Sequence, residues 1–380
     1  MELRVRLTRP WLRILAVAAL FLLSTGVGPP RAAAAQPSGA ITGTGAGAVC
    51  PDAATAAQSS DAAQSRRKGV RIPRDEAPHR ERAEWWYYVG HLWGVDPEGR
   101  PHCYGFEQVV FQFLDKGPQP VYIGHFAVSD LTRGTFQYAG TPDSYPVPDT
   151  PGEFALDTGD WTMRGGSGRA TLHAALPEYE LDLQLRSMKP VVLHGERGTI
   201  PYGPLGTSKY YSWTSMQASG TIVDHGVPVK VTGLSWGDHQ WGDNDFTIGA
   251  GWDWFSVHLT DGKQYMLYFV RDTSGKIVET IGSLIHPSGR TTNLSPSRLS
   301  TTDTGSWTSP ATGITYGSGW QVTVPGGRLT VTPNLVDQEL NLLSTVGAVY
   351  WEGSVSVRGE IAGSPVTGIG YTEIYPPRPT

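Results

Sequence analysis

The stretch GLSWGDHQWGD, residues 233–243, sets a serine, a histidine and two carboxylates among tryptophans. Its first five residues fit G-x-S-x-G, the nucleophile-elbow pattern that would make Ser235 the nucleophile of a serine hydrolase. That geometry needs a strand before the serine and a helix directly after it. DHQWGDNDF has no helical periodicity, and Trp236 is too bulky for the tight turn, so Ser235 is expected to close the strand VPVKVTGLSW rather than attack a carbonyl. The better acid/base candidates are Asp238 and His239, a carboxylate and an imidazole in an aromatic setting at a strand end. The competing reading is a tryptophan-rich plug in which both side chains tie strands together. A metal held by Asp238, His239, Asp243 and Asp245 is disfavoured, because H-x-x-x-H spacing, a cysteine ligand and an EF-hand loop are all missing there.

Glu84 opens a second candidate stretch, EWWYY at residues 84–88. A carboxylate beside such a run is expected to be partly buried, which raises its pKa unless a cation pairs with it. It could then protonate an alkene or hydrogen-bond a carbonyl; the alternative is a buried carboxylate bonded to backbone or to an arginine. On a strand Trp86 and Tyr88 face one way and Trp85 and Tyr87 the other, so one pair can fill a core while the other lines a pocket. His125, in GHFAVSD, is either a core histidine with its hydrogen bonds satisfied or a ligand contact.

The elements that must position these residues read as strands. FSVHLT, LDLQLR and VSVRG alternate apolar and polar side chains, the period of a strand with one packed face. Asp261-Gly262 and Pro325-Gly326-Gly327 separate such runs as hairpin turns. No stretch of ten or more residues shows convincing 3.6-residue spacing. The expected class is all-β and antiparallel, a barrel or sandwich, with short peripheral helices.

The chain starts with Arg4, Arg6, Arg9 and Arg13, an apolar run from Ile14, and Ala32 to Ala35. This predicts a secretory signal peptide over 1–35, cleaved near Ala35, and an exported protein. Residues 36–68 are small and polar and predict a flexible leader. Without residues 1–35 the chain has 25 basic and 34 acidic residues, net −9, five Arg and one Glu having been removed from the totals of 30 and 35. Nucleic acid and anionic membrane are therefore poor expectations, and the apolar run, which stops at Ser24, Thr25 and Gly26, is too short to predict stable membrane insertion. The two cysteines, Cys50 and Cys103, could form one disulfide in an oxidising compartment or remain two thiols.

Three stretches together resemble a known family: AEWWYYVGHLWG, GLSWGDHQWGD with the following GWDWFSVHL, and YWEGSVSVRGEIAGSPVTGIGYTEIY. With VYIGHFAVSD and KPVVLHG between them in order, the chain from about Arg74 to Tyr375 is similar to the CrtC/AttH-type lipocalin-like proteins. That family includes carotenoid 1,2-hydratases, also called hydroxyneurosporene synthases, and fungal Diels-Alderases. The resemblance implies two lipocalin-like antiparallel β-barrel domains, expected at 69–247 and 248–380, and a cavity for an apolar ligand. It implies no single reaction. The expectation is a cofactor-independent enzyme that cyclises a linear polyene, polyketide or isoprenoid, with alkene hydration and a non-catalytic carrier as alternatives. Asp238, His239 and Glu84 are the expected catalytic residues. Trp85, Trp86, Tyr88, His125, Tyr211, Trp241 and Trp252 are the expected ligand contacts, and no metal is expected.

Overall fold

Tyr179–Ser187 alternates buried and exposed side chains, as a strand with one packed face must. Ala83–Val95 is buried along most of its length on both faces, although its sequence is just as strand-prone. That contrast between half-covered and doubly covered strands organises the molecule.

The computed structural model describes residues 69–114, 120–144, 151–345 and 347–376. The expected signal peptide and leader, and Cys50, lie outside these residues. The first sheet holds β1 (Ala83–Val95), β2 (Pro101–Phe113), β3 (Val121–Asp130), β4 (Thr135–Ser144), β5 (Phe154–Thr158), β6 (Trp161–Gly166), β7 (Arg169–Ala175), β8 (Tyr179–Ser187), β9 (Val192–Leu193), β10 (Thr199–Pro201), β11 (Thr207–Asp224) and β12 (Val227–Gly242). Its order is β4-β3-β2-β1-β12-β11-β8-β7-β6-β5, with β9 and β10 beside β11. The second sheet holds β13 (Gly251–Leu259), β14 (Gln264–Arg271), β15 (Ile277–Ile285), β16 (Thr291–Asn293), β17 (Ser300–Asp303), β20 (Trp320–Val324), β21 (Gly327–Pro333), β22 (Glu339–Leu342), β23 (Ala348–Ile361) and β24 (Ser364–Tyr375). Its order is β16-β15-β14-β13-β24-β23-β21-β20-β17, with β22 beside β23, while β18 (Ser306–Thr308) and β19 (Thr315–Gly317) pair separately. These ladders are antiparallel, and the described residues contain no α-helix, only single 3-10 turns. The expected turns are present, with Gly262 and Gly326 at positive φ between their strand pairs.

The first sheet curls until β4 and β5 approach, wrapping an inner core that includes Trp86, Tyr88, Phe106, Phe126, Phe154 and Trp161. The second has its own core around Phe255, Leu267, Trp320 and Trp351. A third cluster, with Tyr87, Val89, Tyr210, Trp236, Trp254 and Tyr371, joins side chains of both sheets and forms a seam between them. Burying each such aromatic contributes on the order of 2 kcal/mol or more. Thus β1 and β12 have an inner face and a seam face.

Two readings change. Ser235 does not end a strand: β12 runs on to Gly242, and the buried Ser235 hydroxyl donates to the Val89 carbonyl at 2.8 Å. The strand continues because β1 pairs with it from Ala83↔Gly242 to Val95↔Lys230, a partner that local sequence does not display. No helix follows the serine, so it has no nucleophile elbow. The consecutive residues Asp238 and His239 also point to opposite faces, since strand side chains alternate.

Candidate functional site

The register of β1 against β12 sorts the candidates. Trp86↔His239 and Glu84↔Trp241 are cross-strand pairs on the inner face, while Tyr87↔Asp238 and Val89↔Trp236 are pairs on the seam face. Gly237 lies opposite Tyr88, where a Cβ would come within 2.5 Å of the tyrosine ring, so the close packing of Tyr88 requires glycine.

On the inner face Glu84 is fully buried and every oxygen has a partner. Oε1 meets His79 Nδ1 at 2.7 Å and His239 Nε2 at 2.6 Å, while Oε2 accepts from the His79 backbone N–H at 2.7 Å and from Gln112 Nε2 at 3.0 Å. His239 stacks on Trp86 at 4.5 Å and faces the Tyr211 hydroxyl through Nδ1 at 3.1 Å. His79 stacks on Trp241 at 4.1 Å. Burial pulls the His79 imidazole down, but hydrogen bonds to Asp75 and Glu84 outweigh it and hold the group up at about 9. Burial lowers His239, with Glu84 offsetting part of that shift.

On the seam face Asp238 accepts from Tyr210 at 2.6 Å, from Trp236 Nε1 at 2.6 Å and from the Ser212 hydroxyl. Burial pushes its carboxyl up to about 7, and the three donors offset only part of that. Trp254 Nε1 donates to Tyr210, and the Trp254 ring meets Tyr87 edge-on at 5.4 Å. Tyr87 donates to Glu352, a buried carboxyl that follows the apolar Trp351 on β23.

Farther along the seam Tyr350 donates to Glu107 Oε1 at 3.0 Å, and its hydroxyl also meets His125 Nδ1 at 2.7 Å. Glu107 Oε2 and His125 Nε2 are buried and have no hydrogen-bond partner among the described residues. Burial, followed by repulsion from neighbouring carboxylates, raises Glu107, Glu352 and Glu373 above the ordinary range. Burial drives His125 down to about 3 and His91 to about 4, so both imidazoles are neutral at pH 7. A narrow cleft enters the seam among His91, Trp236, His258 and Tyr371.

The structure therefore joins His239 to Glu84 rather than to Asp238. Trp86, Tyr88, Tyr211 and Trp241 lie on the inner side. His125 and Trp252 belong to the seam region; Trp252 stacks on Tyr375 at 4.4 Å, and the half-buried Trp85 packs against Phe111 and Phe246. Cys103 is buried and disulfide-bonded. Sequence reasoning missed His79, Glu107, Tyr350, Glu352 and Glu373. The available signal for Glu107 was its alternation with Val109 and Phe111 on one face of β2, which places a carboxylate on an otherwise apolar face.

With this geometry in view, comparison with known proteins places the chain, since the AttH-like family model matches residues 63–375. The chain is an AttH-like protein. A crystal structure of an AttH-type protein from Nitrosomonas europaea is 29% identical, with TM-score 0.72, covering 81% of this AttH-like chain and 97% of that one. Kievitone hydratase from Nectria haematococca superposes with TM-score 0.66 at 20% identity, covering 82% and 94%, and CghA with TM-score 0.51 at 12%, covering 78% and 89%; both show the shared fold. By sequence the chain is 23% identical over 202 residues to kievitone hydratase of Fusarium solani subsp. phaseoli. That match takes 51% of this chain and spans little more than half, 56%, of the curated relative.

Proposed function

We propose that the seam is a reaction site and that the reaction is addition of water to a carbon–carbon double bond of an apolar isoprenoid or polyene. The observation that carries this reading is the Glu107–Tyr350–His125 arrangement, with a free atom at each end. Tyr350 has one proton and gives it to Glu107, so the His125 nitrogen against the same hydroxyl is a protonated Nδ1 and Nε2 is the basic atom. Burial keeps the carboxyl protonated and the imidazole neutral.

Glu107 Oε2 delivers its proton to one alkene carbon, where the π pair forms the new C–H bond. The cation left on the neighbouring carbon is stabilised by aromatic faces of the seam. Water adds its oxygen there and releases a proton to His125 Nε2. Tyr350 passes a proton from His125 Nδ1 to Glu107 Oε1, which restores the proton count of both groups, and exchange with water after the product leaves returns the protons to Oε2 and Nδ1. The net change is alkene plus water to alcohol.

A cyclase works mainly by orienting its substrate and a carrier by enclosing it, so neither needs this paired donor and acceptor. Cyclisation, the first expectation from sequence, therefore yields to hydration. The sequence likeness to kievitone hydratase supports the same choice. Export through the expected signal peptide belongs to this proposal and favours an amphiphilic alkene over a membrane carotenoid.

The test is to incubate the full chain with kievitone and a series of isoprenoid and polyene alkenes in oxygen-18 water. A product heavier by one labelled water supports hydration. A rearranged product of unchanged mass marks a cyclase, binding without conversion marks a carrier, and either result overturns the reading.

A further inference from the structure

We infer that His79, Glu84 and His239 form a binding site for a divalent transition metal of the zinc class, on the inner face and separate from the seam. His79 Nδ1, Glu84 Oε1 and His239 Nε2 all lie within 4.8 Å of one another. Two imidazoles and one carboxylate are a donor set that zinc accepts while keeping a fourth position open. A bound ion would replace the protons that the two imidazoles share with Glu84 Oε1.

The surrounding groups point the same way, because each ligand is oriented through its other atoms. His79 Nε2 faces Asp75 at 3.8 Å, and Asp75 is itself held by the Arg71 backbone N–H at 2.8 Å and by Arg74. His239 Nδ1 faces the Tyr211 hydroxyl at 3.1 Å. Glu84 Oε2 is fixed by Gln112 and by the His79 backbone N–H. Such outer partners set imidazole orientation and ligand basicity at metal centres. Trp86 and Trp241 fix the ring planes by stacking. The His79 side chain retains 22% exposure while Glu84 retains none, so entry is from the His79 side.

A second group, His173, Glu180 and Asp182, offers a contrast on the surface. Both of its acids are exposed, so it has no comparable enclosure. The site would anchor the segment before β1 to β1 and β12, so loading should raise the melting temperature.

The experiment uses the untagged full chain, loaded with zinc or cobalt(II), desalted and measured for metal content, visible absorption and melting temperature with and without chelator. The expected result is one metal per chain, the intense visible bands of tetrahedral cobalt, and a melting temperature that chelator lowers and zinc restores. His79→Gln should abolish uptake, whereas His173→Gln should retain it. Failure of the wild-type chain to retain metal overturns the proposal, as does normal uptake by folded His79→Gln. If His79→Gln does not fold, X-ray absorption of the zinc-loaded wild type decides. Imidazole scattering from two histidines supports the site, and its absence overturns it.

Discussion

The two faces of the β1/β12 pair solve the burial of ionisable groups in opposite ways. On the inner face the Glu84 oxygens meet His79, His239 and Gln112. On the seam face Glu107, Glu352 and Glu373 act on one another as buried acids, and Glu107 Oε2 and His125 Nε2 lack partners. A satisfied network fixes structure or coordinates an ion, whereas unsatisfied buried groups are costly and concentrate where chemistry occurs. Under the proposed function the proton transfers belong to these unsatisfied seam groups and not to Ser235.

The largest effect expected from breaking the contrast is on the inner face. Glu84→Gln takes the carboxylate acceptor from His239 and leaves His79 with Asp75, 3.8 Å away, as its remaining buried counter-charge; it should destabilise by about 3 kcal/mol, read as a fall in melting temperature. An unchanged melting temperature would show that this network does not support the fold. On the seam, His125→Gln removes the basic nitrogen and should slow hydration by about 10²-fold, with the melting temperature close to wild type. A proportional loss of stability would assign His125 to packing instead.

Much of this contrast could be read in advance, though not its partners. Alternation placed Trp86 and Tyr88 opposite Trp85 and Tyr87, and that division holds in β1. The same rule would have parted Asp238 from His239 had β12 been carried through to Gly242. Glu84 was recognisable beside its aromatic run, but His79 sits in RDEAPHRERAE, a stretch that looks like a solvated charge cluster. Glu107 meets Tyr350 across 243 positions, a proximity created by the packing of two sheets and carried by no local pattern.

The response of stability to pH should be smaller than the effect of either substitution. Because Glu107, Glu352 and Glu373 are raised, the folded chain retains protons that the unfolded chain releases from about pH 4.5 upward. Their contribution therefore declines as pH rises through the folded pKa values. The lowered His91, His125, His194 and His258 act in the opposite sense, adding stability as pH rises to about 6.5, where their gain is complete. Above that pH the acid loss continues, at up to about 1.4 kcal/mol per pH unit for each group. The melting temperature should decline between about pH 6.5 and 8, and less steeply in Glu352→Gln. An identical slope in wild type and variant would show that Glu352 is not a buried acid.

The smallest effect belongs to Ser235. Its hydroxyl bonds only backbone carbonyls within β12 and to β1, so Ser235→Ala should cost about 1 kcal/mol of stability and leave turnover nearly unchanged. Labelling of Ser235 by a fluorophosphonate would contradict its structural role.

Whether a seam carboxyl supplies the proton is decided by the single-turnover rate of Glu107→Gln, measured beside its melting temperature. The amide keeps an acceptor for Tyr350 and cannot deliver a proton to carbon. The expected result is a fall in rate of about 10²-fold or more with the melting temperature held or raised, because an amide lacks the stability loss that a raised acid suffers when the unfolded chain ionises. A folded Glu107→Gln chain that hydrates its alkene at the wild-type rate would contradict it.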